Sequence, residues 1–106
     1  ILSFSYRIPT DIVASSDITL NLKQNTTEKE IKEFLTEKCN NSKYLSLNYE
    51  SLVSLDYEKL EESAVLDMQW LKVLDNTVKI VLWYDNEWGY SARVLDLAKK
   101  LAEMCK

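Results

Sequence analysis

Apolar and polar residues alternate strictly at the start of the chain, with Leu2, Phe4, Tyr6 and Ile8 on one side and Ser3, Ser5 and Arg7 on the other. A period of two is that of a half-buried strand, and Pro9, which has no N–H to donate, ends it. The period returns in "DITLNLK", with Ile18, Leu20 and Leu22 inward and Thr19, Asn21 and Lys23 outward. From Thr27 the period lengthens: Thr27 and Glu30 form a capping box, and Ile31, Phe34, Leu35 and Cys39 make one stripe of an amphipathic helix. "NNSK" reads as a loop. "YLSLNY" and "SLVSLDY" predict two short strands around a bend near Glu50, and "KLEES" a loop or single turn. "AVLDMQWLKVL" predicts one or two strands, Asp75-Asn76 a turn, and "TVKIVLWYD" the most apolar strand. Gly89 falls between that strand and a last helix. Val94, Leu97, Ala98, Leu101 and Cys105 would form this helix's buried stripe, with Lys99, Lys100 and Lys106 near its negative C-terminal end.

The predicted order is β-β-α-β-β-β-β-α. Short connections with few crossovers imply an α+β fold, a largely antiparallel or mixed sheet with helices packed on one face. At 106 residues the chain is one small domain or a piece of a larger one, and its opening Ile is expected to mark a cut in a longer chain. A net charge of -4 argues against nucleic acid or an anionic membrane as partner. No apolar run approaches the roughly 18 residues of a membrane span, and no leader pattern follows the first residue. Cys39 and Cys105 read as reduced thiols of a cytoplasmic protein rather than a disulfide. Asn25-Thr26-Thr27 and Asn40-Asn41-Ser42 match the glycosylation pattern, a chance match where no secretion signal is seen.

Candidate chemistry is sparse. The chain has no phosphate-cradling glycine loop, no Cys/His cluster for zinc, no acidic loop for calcium and no histidine at all. Glu61-Glu62 reads as solvated surface. Two features remain. Arg7 stands beside two serines, either as a surface cation with a carboxylate partner or as a guanidinium suited to phosphate. Asp85-Asn86-Glu87 is an acidic, polar knot inside the aromatic run "VLWYDNEWGY", and Asn86 is either a turn residue or an amide offered to a ligand.

The stretch "WYDNEWGYSARVLDL" resembles the end of the phosphorylating glyceraldehyde-3-phosphate dehydrogenases, whose pattern there is WYDNE, an aromatic, GYS, any residue and Arg, then an apolar helix. "FSYRIPT" followed by "DITLNL" and "TEKEIKEFL", and "LVSLDY" before "SAVLD", resemble the same family in the same order. The resemblance spans essentially the whole chain, strongest over 83–97 and weakest over 40–80, and corresponds to part of that family's catalytic domain. It implies NAD as cofactor, with Asn86 bonding the nicotinamide carboxamide and Tyr90 near the same ring. It implies that Tyr84 lines the pocket of the catalytic cysteine and that Arg7 contributes to phosphate binding.

The family's glycolytic reaction is implied too: a thiolate attacks an aldehyde phosphate, NAD takes the hydride, and inorganic phosphate cleaves the thioester. Neither Cys39 nor Cys105 matches that nucleophile, so the chain is expected to hold no catalytic residue, to lack the NAD-binding domain and to be inactive alone. A homo-oligomer is implied for the full-length protein. "DMQWLKVLDN" departs from a Gly-rich family stretch, and Ala92 replaces a common Asn. An erythrose-4-phosphate dehydrogenase shares this pattern, and a non-catalytic relative kept for binding or assembly is the alternative outside the enzymes.

Overall fold

The computed structural model describes residues 1–105. In order the elements are β1 (Ala14–Asn21), α1 (Glu28–Asn40), β2 (Leu45–Asn48), a 3₁₀ turn (Ser54–Tyr57), β3 (Ala64–Asp67), β4 (Lys72–Leu74), β5 (Thr77–Tyr84) and α2 (Trp88–Met104). Five strands form one mixed sheet in the order β1-β5-β3-β2, with β4 also pairing β5. β5 is antiparallel to β1, β3 and β4, whereas β2 runs parallel to β3. The α+β class with a mixed sheet agrees with the expectation.

β5 lies inside the sheet because it can be buried on both faces and paired on both edges. Along it Val78, Ile80 and Leu82 join Leu66, Met68 and Leu71 in a core closed by Ile31, Leu35 and Cys39 of α1. Trp83 points to the other face, where Tyr57, Val65 and Val13 form a second cluster. There the Tyr57 and Trp83 rings stack at 5.3 Å and 10°. The polar rims of both rings are used: the Asn48 side-chain amide donates to the Tyr57 hydroxyl at 3.0 Å, and the Trp83 indole N–H donates to buried Asp67 at 3.1 Å. Aromatic rings are buried at low cost when their polar edges find such partners.

α1 begins as expected. The Thr27 hydroxyl accepts from the Glu30 N–H at 3.3 Å, and the Glu30 carboxylate accepts from the Thr27 N–H at 2.8 Å. Phe34, assigned to its buried stripe, is half exposed, because the helix turns only Ile31, Leu35 and Cys39 toward the sheet. "AVLDMQWLKVL" makes two strands, and Asp75-Asn76 makes the tight turn between β4 and β5, with Asp75 at φ 52°.

Four expectations are corrected. Residues 2–8 are not a strand: no described strand pairs with them, and Leu2 and Phe4 are 97% and 79% exposed. Alternation encodes a face, but a strand also needs a ladder partner. "SLVSLDY" yields the 3₁₀ turn, because the Asp56 carboxylate accepts the Val53 N–H at 2.8 Å and takes it out of any ladder. Gly89 is not a linker; it sits buried in the first turn of α2 without a positive φ. The stripe Val94, Leu97, Ala98, Leu101 and Cys105 is exposed, since no described element lies over it. Lys106 lies outside the described residues. Cys39 is buried and Cys105 exposed, and both are free thiols; burial pushes the Cys39 thiol up. No helix among the described residues is long and apolar enough to cross a membrane.

Candidate functional site

The corner between β5 and α2 is built by one carboxylate. Asp85 is 4% exposed, and its Oδ1 accepts the N–H groups of Glu87 at 2.9 Å and Trp88 at 2.8 Å. This turn ends β5 and caps α2, whose N-cap residue Glu87 supplies no side-chain bond of its own. Oδ2 accepts the N–H of Lys59 at 2.8 Å, and Lys59 stands at φ 62°. Burial alone would raise the Asp85 carboxyl. The three N–H donors from Trp88, Lys59 and Glu87 outweigh it and hold the group below the usual carboxylate range.

Gly89 lets this corner close on β3. A Cβ there would stand 2.7 Å from the Glu62 carbonyl oxygen, so only glycine fits. One turn further, Arg93 ties α2 to the same region: its Nη1 donates to Ser63 Oγ at 3.1 Å, and its guanidinium lies 4.5 Å from the Tyr44 ring centre. Asp96 bridges two cations, with Lys43 Nζ at 3.1 Å and Arg93 Nε at 3.0 Å, the latter a charge contact rather than an aligned hydrogen bond. Lys43 first, and Arg93 after it, hold the Asp96 carboxyl low, while Asp96 holds the Lys43 ammonium high.

Between these anchors lies an open cleft of about 290 Å³ lined by Ser63, Tyr84, Asp85, Asn86, Gly89, Tyr90 and Arg93. Three of the four residues singled out in the sequence therefore meet. Tyr84 is the last residue of β5, Tyr90 is on the first turn of α2, and Asn86 is exposed between them. The Asn86 side chain makes no hydrogen bond among the described residues, whereas Asp85 before it is buried and bonded. The polar knot thus points two ways: its acid holds the backbone and its amide faces outward. Arg7 is not in the cleft; it is exposed in the segment before β1.

Chemically the cleft offers an amide, two phenol rings and a guanidinium. It holds neither thiol nor imidazole, so it can orient a ligand but supplies no nucleophile of the Cys–His kind. Among the described residues no group of carboxylates or thiols is placed to hold a metal ion. Sequence reasoning missed the anchoring roles of Ser63 and Arg93. Arg93 was visible inside the GYSAR run, but Ser63 carried no local signal because its partner is 30 positions away.

Residues 1–86 match the model of the family described as glyceraldehyde 3-phosphate dehydrogenase, C-terminal domain. The chain belongs to this family. It is 41% identical over 103 residues to glyceraldehyde-3-phosphate dehydrogenase 2 of Bacillus subtilis, a match covering 94% of this chain and 30% of that protein. It is 38% identical over 96 residues to glyceraldehyde-3-phosphate dehydrogenase of Pseudomonas aeruginosa, covering 91% and 29%. It is 38% identical over 100 residues to the cytosolic glyceraldehyde-3-phosphate dehydrogenase 2 of Hordeum vulgare, covering 92% and 33%. The chain thus spans about three-tenths of the length of these curated relatives. The site corner lies at the end of the family match: Asn86 is its last residue, and Tyr90 lies beyond it.

Proposed function

We propose that this chain is the part of an NAD-dependent glyceraldehyde-3-phosphate dehydrogenase that walls the nicotinamide end of the active site, within a partial catalytic domain. The observation that carries the reading is the meeting of Tyr84, Asn86 and Tyr90 around one cleft, with the Asn86 amide exposed and, among the described residues, unpaired. The nicotinamide end of the cofactor is a planar ring bearing a carboxamide, and an amide beside two phenol rings suits it in shape and in hydrogen bonding. The cofactor's phosphates have no counterpart cradle at this corner, because Asp85 already takes the N–H groups at the start of α2. NAD held there would supply the hydride-accepting ring. Asn86 would fix which face of the ring is presented, and Tyr84 and Tyr90 would exclude water from it.

Arg7 would contribute to the phosphate site once the segment before β1 is held in place. Substrate and inorganic phosphate would meet a cysteine and a histidine supplied by the remainder of the enzyme, along with its NAD-binding domain. The intact enzyme would be a cytoplasmic homo-oligomer of glycolysis with no nucleic-acid or membrane partner. All three relatives above carry the glyceraldehyde-3-phosphate name, which favours that aldehyde over erythrose 4-phosphate.

The test is kinetic. In the intact enzyme Asn86→Ala should raise the KM for NAD or slow hydride transfer without unfolding the protein. Unchanged kinetics with a lowered melting temperature would show that Asn86 is only a turn residue. The isolated chain should yield no NADH from aldehyde phosphate, NAD and phosphate, and should bind NAD weakly, because a lone amide and two rings rarely offset the cost of immobilising a ligand. Turnover that scales with purified chain, or micromolar binding by calorimetry, would contradict this.

A further inference from the structure

The Asn86 side chain makes no hydrogen bond among the described residues, so something else must set its direction. Its flanking residues show what does. On one side Asp85 is buried; on the other the Glu87 N–H is held by Asp85 Oδ1, and the Glu87 carbonyl accepts both the N–H and the hydroxyl of Ser91. The peptide unit that follows Asn86 is therefore held by the Asp85 carboxylate, which also accepts the Trp88 N–H, and the Ser91 bonds to Glu87 extend that hold into α2. We infer that Asp85 is a positioning residue for the nicotinamide, acting through Asn86. This rests on the reading of the cleft given above.

The two oxygens divide the work. Oδ1 shapes the turn that aims Asn86. Oδ2 holds Lys59, 26 positions away, in a left-handed conformation that only a firm partner makes worthwhile for a lysine. The second link fastens the corner to the loop after the 3₁₀ turn and so to the body of the domain. A carboxylate is suited to both tasks because it accepts on two oxygens and donates on neither at neutral pH.

The division can be separated experimentally in the intact enzyme. Asp85→Ala removes both oxygens and should raise the KM for NAD about tenfold through misplacement of the amide. Asn86→Ala should raise it by a similar factor, and the double variant should be no worse than Asn86→Ala alone, because the two act as one unit. Asp85→Asn keeps an oxygen for the turn but turns an NH₂ toward the Lys59 N–H. It should restore NAD KM most of the way to the parent value while its melting temperature stays lowered.

Asp85→Ala with an unchanged KM, or a double variant whose losses simply multiply, would overturn the positioning role while leaving the reading of the cleft intact. An Asn86→Ala enzyme with unchanged NAD kinetics would remove that reading and this inference together. Where Asp85→Ala does not fold, Asp85→Asn decides alone. A lowered melting temperature with KM near that of the parent supports the role; a tenfold rise in KM with Oδ1 still present overturns it.

Discussion

Two parts of the molecule carry equally clear amphipathic patterns and meet opposite fates. The β3–β5 region and α1 bury their apolar faces, down to 1% exposure at Leu71. The segment 2–8 and the stripe of α2 leave theirs open, with Leu97 at 60%. The patterns do not differ in quality. What differs is the presence of a partner: β5 has strands on both edges and apolar clusters on both faces, while residues 2–8 have none among the described residues and α2 is fastened through Gly89, Arg93 and Asp96 of its N-terminal half. Periodicity states which side of an element is apolar, and the fold decides whether anything lies over it. The candidate site falls on the seam between the two regions, where β5 hands over to α2.

Substitutions can break or sharpen this contrast. The largest effect is expected at the covered end. Leu71→Ala should cost about 2–5 kcal/mol in urea unfolding, since it empties a fully enclosed position. A loss below about 1 kcal/mol would mean the core is looser than its burial implies.

Gly89→Ala should follow at about 1–3 kcal/mol, because a methyl group would press on a backbone carbonyl that has little room to yield. Thermal melting would read it, and an unchanged Tm would show that the seam can open.

Acid should act on the same seam. Asp85 is held below its ordinary value of 3.8 by its three N–H donors, against the opposing pull of burial. Its contribution is therefore fully present above the unfolded value and is lost as pH falls below that value toward the folded one. Titrating stability from pH 6 to about pH 2 should show this loss in the parent and a flatter profile in Asp85→Asn. Equal slopes would contradict the depressed value.

The smallest effect is expected on the open stripe. Leu97→Ala should stay within about 0.5 kcal/mol in the isolated chain. A much larger loss, growing with protein concentration, would reveal that copies of the chain cover one another's stripe.

Most of the elements were legible in the sequence for local reasons. The capping box of Thr27 and Glu30, the β5 run and the Asp75-Asn76 turn each depend on residues within a few positions of one another. What failed depended on distant partners or on side chains competing with the backbone. Residues 2–8 lacked a neighbouring strand, and Asp56 captured the N–H that a strand at 51–57 would have needed. The site followed the same division. Tyr84, Asn86 and Tyr90 were found through a contiguous motif, whereas the hold of Asp85 on Lys59 and of Arg93 on Ser63 crosses 26 and 30 positions and leaves no trace in any short window.

The pairing of β1 with β5 has a kinetic consequence. β4 and β5 are joined by a tight turn and can zip locally, but β1 must find β5 across the chain: Asn21 pairs with Thr77, 56 positions away. Closing so long a loop spends entropy before the ladder returns any, and topologies of this kind refold on the order of milliseconds to seconds. The Asn76 side chain, which donates to the Leu22 carbonyl, and the Asn76 carbonyl, which accepts the Leu22 N–H, form a latch at the turn end of that ladder. The hairpin should thus form first and β1 should dock from its Leu22 end, so that Tyr84 and the corner beyond it are among the last parts of the sheet to become ordered.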